Sequence, residues 1–145
     1  MLPEPLNTIL AFGLVLGVLI FVHEYGHYWA ARRVGIRVEV FSIGFGRAIW
    51  QRTARDGTVW KLGWVPLGGY VKLHGQEAPG PGEPEFRDLP PDSFPAKPVW
   101  ARAFVVAAGP LANFLLAVVL FWVLFAAVGQ RVPAPVVGEV VAGMP

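Results

Sequence analysis

The amino-acid sequence predicts an α-helical integral membrane protein in which two transmembrane helices flank a small membrane-associated β-hairpin element. Three observations lead there. Of the 145 residues, 54% are hydrophobic and only 15% charged, whereas ordinary soluble domains carry about a quarter charged residues. Two long stretches carry no charge at all: 17 residues from Leu6 to Val22, and 27 from Ala103 to Gly129. Between them lie 11 of the 12 Lys and Arg residues, from Arg32 to Arg102.

The first transmembrane helix is expected over residues 6–34. Its apolar pattern resumes after Glu24 and runs to Ala31, giving enough length at about 1.5 Å per residue to span roughly 30 Å of hydrocarbon. A cleaved signal peptide is the competing reading. However, Met1 to Asn7 holds only Glu4 as a charge, and aromatic residues stand where a small-residue cleavage site would be needed. Tyr25, Tyr28 and Trp29 fit an interfacial belt, with Arg32 and Arg33 at the head groups.

Residues 35–75 read as a membrane-reentrant or membrane-associated β-element. Ala48-Ile49-Trp50 and Thr58-Val59-Trp60 flank Arg55-Asp56-Gly57, and Asp-Gly is a favoured hairpin turn. So small an element cannot build its own core, and the membrane is one place to bury its apolar side. Residues 76–98 hold 7 of the 14 prolines and 5 of the 10 acids, the composition of an extended, solvated cytoplasmic connector. An interfacial lead-in and the second transmembrane helix follow over 99–129. Residues 130–145 begin something with strand character at Val136-Val137-Gly138-Glu139-Val140-Val141.

The chemistry concentrates in His23-Glu24-Tyr25-Gly26-His27. Residues four apart project from one helix face, so two neutral imidazoles can share a tetrahedral zinc ion. Glu24, one residue on, can reach water at that metal and take its proton. The chain has no cysteine, so histidine and carboxylate are the ligands on offer. An interfacial histidine pair that merely reaches for the head groups would leave Glu24 unexplained, since ionisable groups inside a membrane helix are costly. Gly26 points to close approach by another backbone or by substrate, or to small-residue helix packing, as Gly13 and Gly17 do on the same helix. In the second helix Gly109-Pro110-Leu111-Ala112-Asn113 is the polar interruption. Asn113 either serves a substrate carbonyl or bonds to the first helix. His74 reads as a solvated loop histidine. No Lys/Arg tract interleaved with aromatics suggests nucleic acid.

In chain order, the HEYGH motif, Phe41-Ser42-Ile43-Gly44-Phe45-Gly46, Pro66-Leu67-Gly68-Gly69-Tyr70-Val71-Lys72 and Ala108-Gly109-Pro110-Leu111-Ala112-Asn113-Phe114 resemble the site-2 protease family of intramembrane zinc proteases. Within it they resemble the bacterial branch that cleaves a membrane-spanning anti-sigma factor during envelope stress. The resemblance implies Zn2+ as cofactor, His23 and His27 as ligands and Glu24 as general base. It implies an edge strand of the β-element that pairs with an unwound substrate, and substrate-binding roles for Asn113, Gly44 and Gly46. The partners would be a single-pass transmembrane substrate, an anti-sigma factor, and the lipid bilayer. The tail would be the start of a truncated periplasmic PDZ domain. The positive-inside rule gives a multi-pass protein of the bacterial inner membrane, its central loop cytoplasmic and both ends of this segment periplasmic. The family's third zinc ligand, an Asp of a later membrane helix, has no counterpart here. This segment alone is therefore expected to hold zinc weakly and not to cleave peptides. Two other classes are weighed: a non-catalytic membrane scaffold or haem or ion carrier, which would not need Glu24, and a membrane zincin acting on prenylated proteins, which lacks the Gly-Pro-x-x-Asn pattern.

Overall fold

The computed structural model describes residues 3–77 and 89–129. The middle of the proline-rich connector and the expected PDZ start lie outside the described residues. The element order is α1 (Glu4–Arg33), β1 (Val38–Thr53), β2 (Val59–Leu73) and α2 (Val99–Val128).

Both helices have 30 residues, about 45 Å at the α-helical rise. Proline in the first turn, Glu4 beside it, and Arg32 and Arg33 in the last turn suit the free N–H groups and dipole of α1. α2 starts after Pro98 and stops at Gly129, whose φ of 74° favours glycine. Each helix contains an 18-residue window none of which is buried. Leu14 is 70% and Trp122 71% exposed. Large apolar side chains turned outward on helices of this length belong in hydrocarbon, the only surroundings that need no polar cover. This is a membrane protein.

The buried core is small and sits at one end of the helix pair, where Ala30 and Ala31 of α1, Val105 and Ala108 of α2, and Ile36, Val38 and Leu73 beside the sheet meet. Glycine permits this crossing. A Cβ on Gly26 would strike the Ala108 carbonyl oxygen and stand 2.9 Å from the Ala112 Cβ. The close approach expected at Gly26 is thus made by the backbone of α2. Gly13 and Gly17 face open space among the described residues.

The hairpin is longer and more folded than its turn signal implied. β1 and β2 pair antiparallel, with Thr53 opposite Val59 beside the turn and Phe41 opposite Val71 at the far end. Val40 to Ile43 also register with Val59 to Leu62, partner numbers rising together. Each of those four residues therefore has two partners, and both strands fold back on themselves. Residues 69–73 and 50–53 become the two edges, with 40–43 and 59–62 between them. The bends fall at glycines: Gly44 has φ 81°, and a Cβ there would meet the carbonyl oxygens of Gly63 and Val65 at 2.8 and 2.9 Å. No residue with a side chain fits both demands.

Aromatic rings fasten the sheet to α1. Phe41 stacks 4.3 Å from Trp60 and meets Phe21 and Tyr28 edge-on. The turn is tied as well: the Tyr28 hydroxyl donates to Asp56 at 3.0 Å, and Arg32 lies 3.4 Å from the same oxygen. Part of the apolar side of the β-element is therefore buried on α1 rather than left to lipid. The described end of the connector is not simply solvated. Arg37 N–H donates to the Asp92 carbonyl and Phe94 N–H to that of His74, while Ser93 is fully buried. His74, expected to be solvated, is half-buried between Glu39 (2.7 Å) and the Arg37 guanidinium (2.6 Å).

Two outcomes follow. Gly26→Val should force α1 and α2 apart and cost roughly 1–3 kcal/mol, the usual range for overpacking, read as lowered resistance to denaturant in detergent micelles. Burial works to raise the pKa of Asp56, but hydrogen bonds from Thr58 and Tyr28 and the charge of Arg32 outweigh it and hold the carboxyl below its ordinary 3.8. A depressed carboxylate stabilises the fold fully above its unfolded value, and that contribution is lost as pH falls through the lowered folded one. Docking of the hairpin turn should hold from pH 5 to 8 and loosen below about pH 4; Asp56→Asn should loosen it at every pH. Hydrogen exchange at residues 54–58 reads both.

Candidate metal centre

His23 and His27 lie on the side of α1 facing α2 and the 69–73 edge of the sheet. Their Nε2 atoms are 3.2 Å apart, and each ring is held from behind. His27 Nδ1 lies 2.7 Å from the Val105 carbonyl oxygen. That oxygen can only accept, so His27 carries its proton on Nδ1 and keeps a lone pair on Nε2. His23 Nε2–H then donates to His27, and His23 Nδ1 accepts from the Asn113 amide at 3.4 Å. A directional chain runs Asn113, His23, His27, Val105. The Asn113 Oδ1 is buried with no hydrogen-bond partner among the described residues.

α2 reaches the histidines because Gly109 has no side chain: a Cβ there would lie inside the His27 ring. Pro110 has no N–H to give the Val106 carbonyl. Glu24 points toward the sheet instead. A Cβ on Gly69 would stand 2.9 Å from Glu24 Cγ, so the sheet edge lies directly against the carboxylate arm. Glu24 lines two adjoining clefts of about 280 and 310 Å3. The first also touches His27, Gly69, Tyr70 and Val71, and the second His23, Phe45, Gly68 and Asn113.

Of the residues expected to act, His23, Glu24, His27 and Asn113 come together. Gly44 and Gly46 line neither cleft; they stand at the bend of β1, with the intervening Phe45 reaching the second cleft. The resemblance implied a substrate-pairing edge strand without saying which edge, and sequence reasoning passed over Gly69, although the Gly68-Gly69 pair within a strand is a signal of close backbone approach. The Val105 carbonyl has no sequence signal, because every residue has one. His74 is hydrogen-bonded between Glu39 and Arg37 and stands apart from this centre. Among the described residues no three His, Cys, Asp or Glu side chains gather as a metal site.

An apolar helix that presents an HExxH face to a glycine-lined strand edge carries the ligand pair and adjacent carboxylate on which zinc peptidases are built. The sequence profile of Peptidase family M50 matches residues 11–143. The chain is 49% identical over 130 residues to the regulator of sigma-E protease RseP of Salmonella typhimurium, covering 90% of this chain and 28% of that protein. It is 48% identical over 132 residues to the Escherichia coli protein of the same name, with 91% and 28% covered. A candidate zinc metalloprotease of Vibrio cholerae is 45% identical over 132 residues, with 90% and 28% covered. The chain belongs to peptidase family M50, the site-2 proteases. It spans about 28% of the length of the curated relatives it matches.

The hydrogen-bond chain is testable by nitrogen NMR of histidine-labelled, metal-free protein. His27 should show a protonated Nδ1 and a lone-pair Nε2, and His23 the reverse. Two identical tautomers would refute the chain.

Proposed function

We propose that this chain contributes two zinc ligands and the general base to an intramembrane endopeptidase that hydrolyses a peptide bond within the transmembrane segment of an anti-sigma factor. The observation that carries this reading is the convergence of His23 and His27 Nε2 at 3.2 Å, with Glu24 between them and the 69–73 strand edge. Two nitrogens on one tetrahedral zinc, each at about 2.0–2.1 Å, stand about 3.3 Å apart, so the two donors already stand at the spacing the ion requires. Asn113 fits it too. With its amide turned, the orphaned Oδ1 would accept a hydrogen bond from His23 Nδ1–H, the tautomer that leaves Nε2 free for the metal.

Zinc, when bound, supplies the Lewis acidity that lets water attack a peptide carbonyl near neutral pH. Glu24 accepts the proton of that water and returns it to the departing amide nitrogen. The substrate backbone must be extended first, because a helix hides its peptide bonds. Residues 69–73 pair with β1 on one side only, so their outer edge can add such a strand directly beside Glu24. Gly44 and Gly46 act at one remove, through the bend that lets β1 fold back against β2. The basic central segment supports a topology with the sheet at the cytoplasmic face of the bacterial inner membrane and both ends of this segment periplasmic. His27 and His23 then lie about 7 and 13 Å below Arg32. A third ligand completes the centre from elsewhere in the protein.

In a chain of the relatives' full length, Glu24→Gln should lower cleavage of a transmembrane substrate roughly a hundred- to ten-thousand-fold while bound zinc, measured by elemental analysis, stays at the wild-type level. Unchanged cleavage would remove Glu24 as the base.

A further inference from the structure

We propose that the cleft between Trp50, Arg52, Arg55 and Trp60, at the sheet edge remote from Glu24, binds the phosphate of an anionic phospholipid head group. The register puts Arg52 opposite Trp60 and Trp50 opposite Leu62, and directly paired residues share a face of a sheet. Trp60 on that face stacks on Phe41, which packs on α1. Trp50 and Arg52 continue the same face outward past the helix. Arg55 closes the space from the turn, leaving a cleft of about 320 Å3.

Its charge is uncompensated. Neither Arg52 nor Arg55 has an ion pair among the described residues, and nor does the nearby Arg47, whereas Asp56, the acid in the turn, is held by Tyr28 and Arg32. Those same two bonds set the depth of the cleft. They fix the turn to the last helical turn of α1, where the apolar run gives way to Arg32 and Arg33. In a membrane-spanning α1 this is the level of the head groups, where indoles and cations settle and anionic lipid attracts each basic side chain. Guanidinium forks match the two free oxygens of a phosphodiester, and the Trp50 ring, 53% exposed, can cover the glycerol portion.

The inference rests on α1 crossing a bilayer, not on the proteolytic reading. The test reconstitutes the full chain into nanodiscs of phosphatidylglycerol and phosphatidylcholine and measures by native mass spectrometry which lipids stay with it. Incorporation itself reports the membrane reading separately. Phosphatidylglycerol should be retained above its bulk share, falling roughly fivefold for each arginine removed in Arg52→Gln and Arg55→Gln. Lys72→Gln, on the opposite edge, should leave retention unchanged. Retention at the bulk ratio in the wild type, or undiminished retention in the double arginine variant, overturns the proposal. Displacement of the lipid by millimolar inorganic phosphate would overturn the lipid in favour of a free anion. Arginine-dependent binding of an acidic peptide without lipid enrichment would overturn it in favour of a protein partner.

Discussion

Gly26 of α1 meets the Ala108 carbonyl of α2, and Gly109 of α2 meets the His27 ring, at separations that leave no room for a Cβ on either glycine. Everything at the candidate metal centre depends on that approach. In hydrocarbon there is no hydrophobic drive between helices, so shape and hydrogen bonds must hold them together. The glycines provide the shape. The hydrogen bonds run through the histidines themselves, from Asn113 through His23 and His27 to the Val105 carbonyl. The contact that packs the helices is therefore also the one that orients both imidazoles. An alanine at Gly109 would disturb packing and ligand geometry together.

The sheet solves a related problem. A two-stranded hairpin alone is marginal in water. Here the strands double back at glycines so that residues 40–43 are paired on both sides. One face is then sealed by Phe21, Tyr28, Phe41 and Trp60, and the turn by Asp56. The result is a platform with two edges of different character, unpaired by further strands among the described residues. The 69–73 edge is small, neutral at Gly69 and pressed against Glu24. The 50–53 edge is aromatic and cationic and opens at the end of the apolar helix. In the proposed reading the first edge holds an extended peptide while the second anchors the platform to lipid, so the distance between bilayer and base is set by one piece of sheet.

Much of this was legible in residue order. Charge-free runs and the clustering of cations define the two helices, because hydrocarbon excludes charge over a fixed thickness. The four-residue spacing of His23 and His27 defines a shared face, because the helical period is 3.6. The Asp56-Gly57 pair marks the hairpin turn. The family itself is written in four short motifs and needs no coordinates.

What residue order could not convey is which surfaces meet. Whether Asn113 faced a substrate or α1 depended on how α2 crosses, and the crossing places its amide on His23. Gly44 and Gly46 look like site residues by motif, and both stand with positive φ at the bend of β1, where a Cβ on Gly44 would meet two carbonyl oxygens. Gly69 looks like punctuation, yet it lies against the Glu24 side chain on α1. The Val105 carbonyl and the doubled register of β1 have no side-chain signature at all. Local periodicity and composition act through a few neighbouring residues and can be read along the chain. Backbone partners and helix crossings join positions tens of residues apart, and only the folded arrangement decides them.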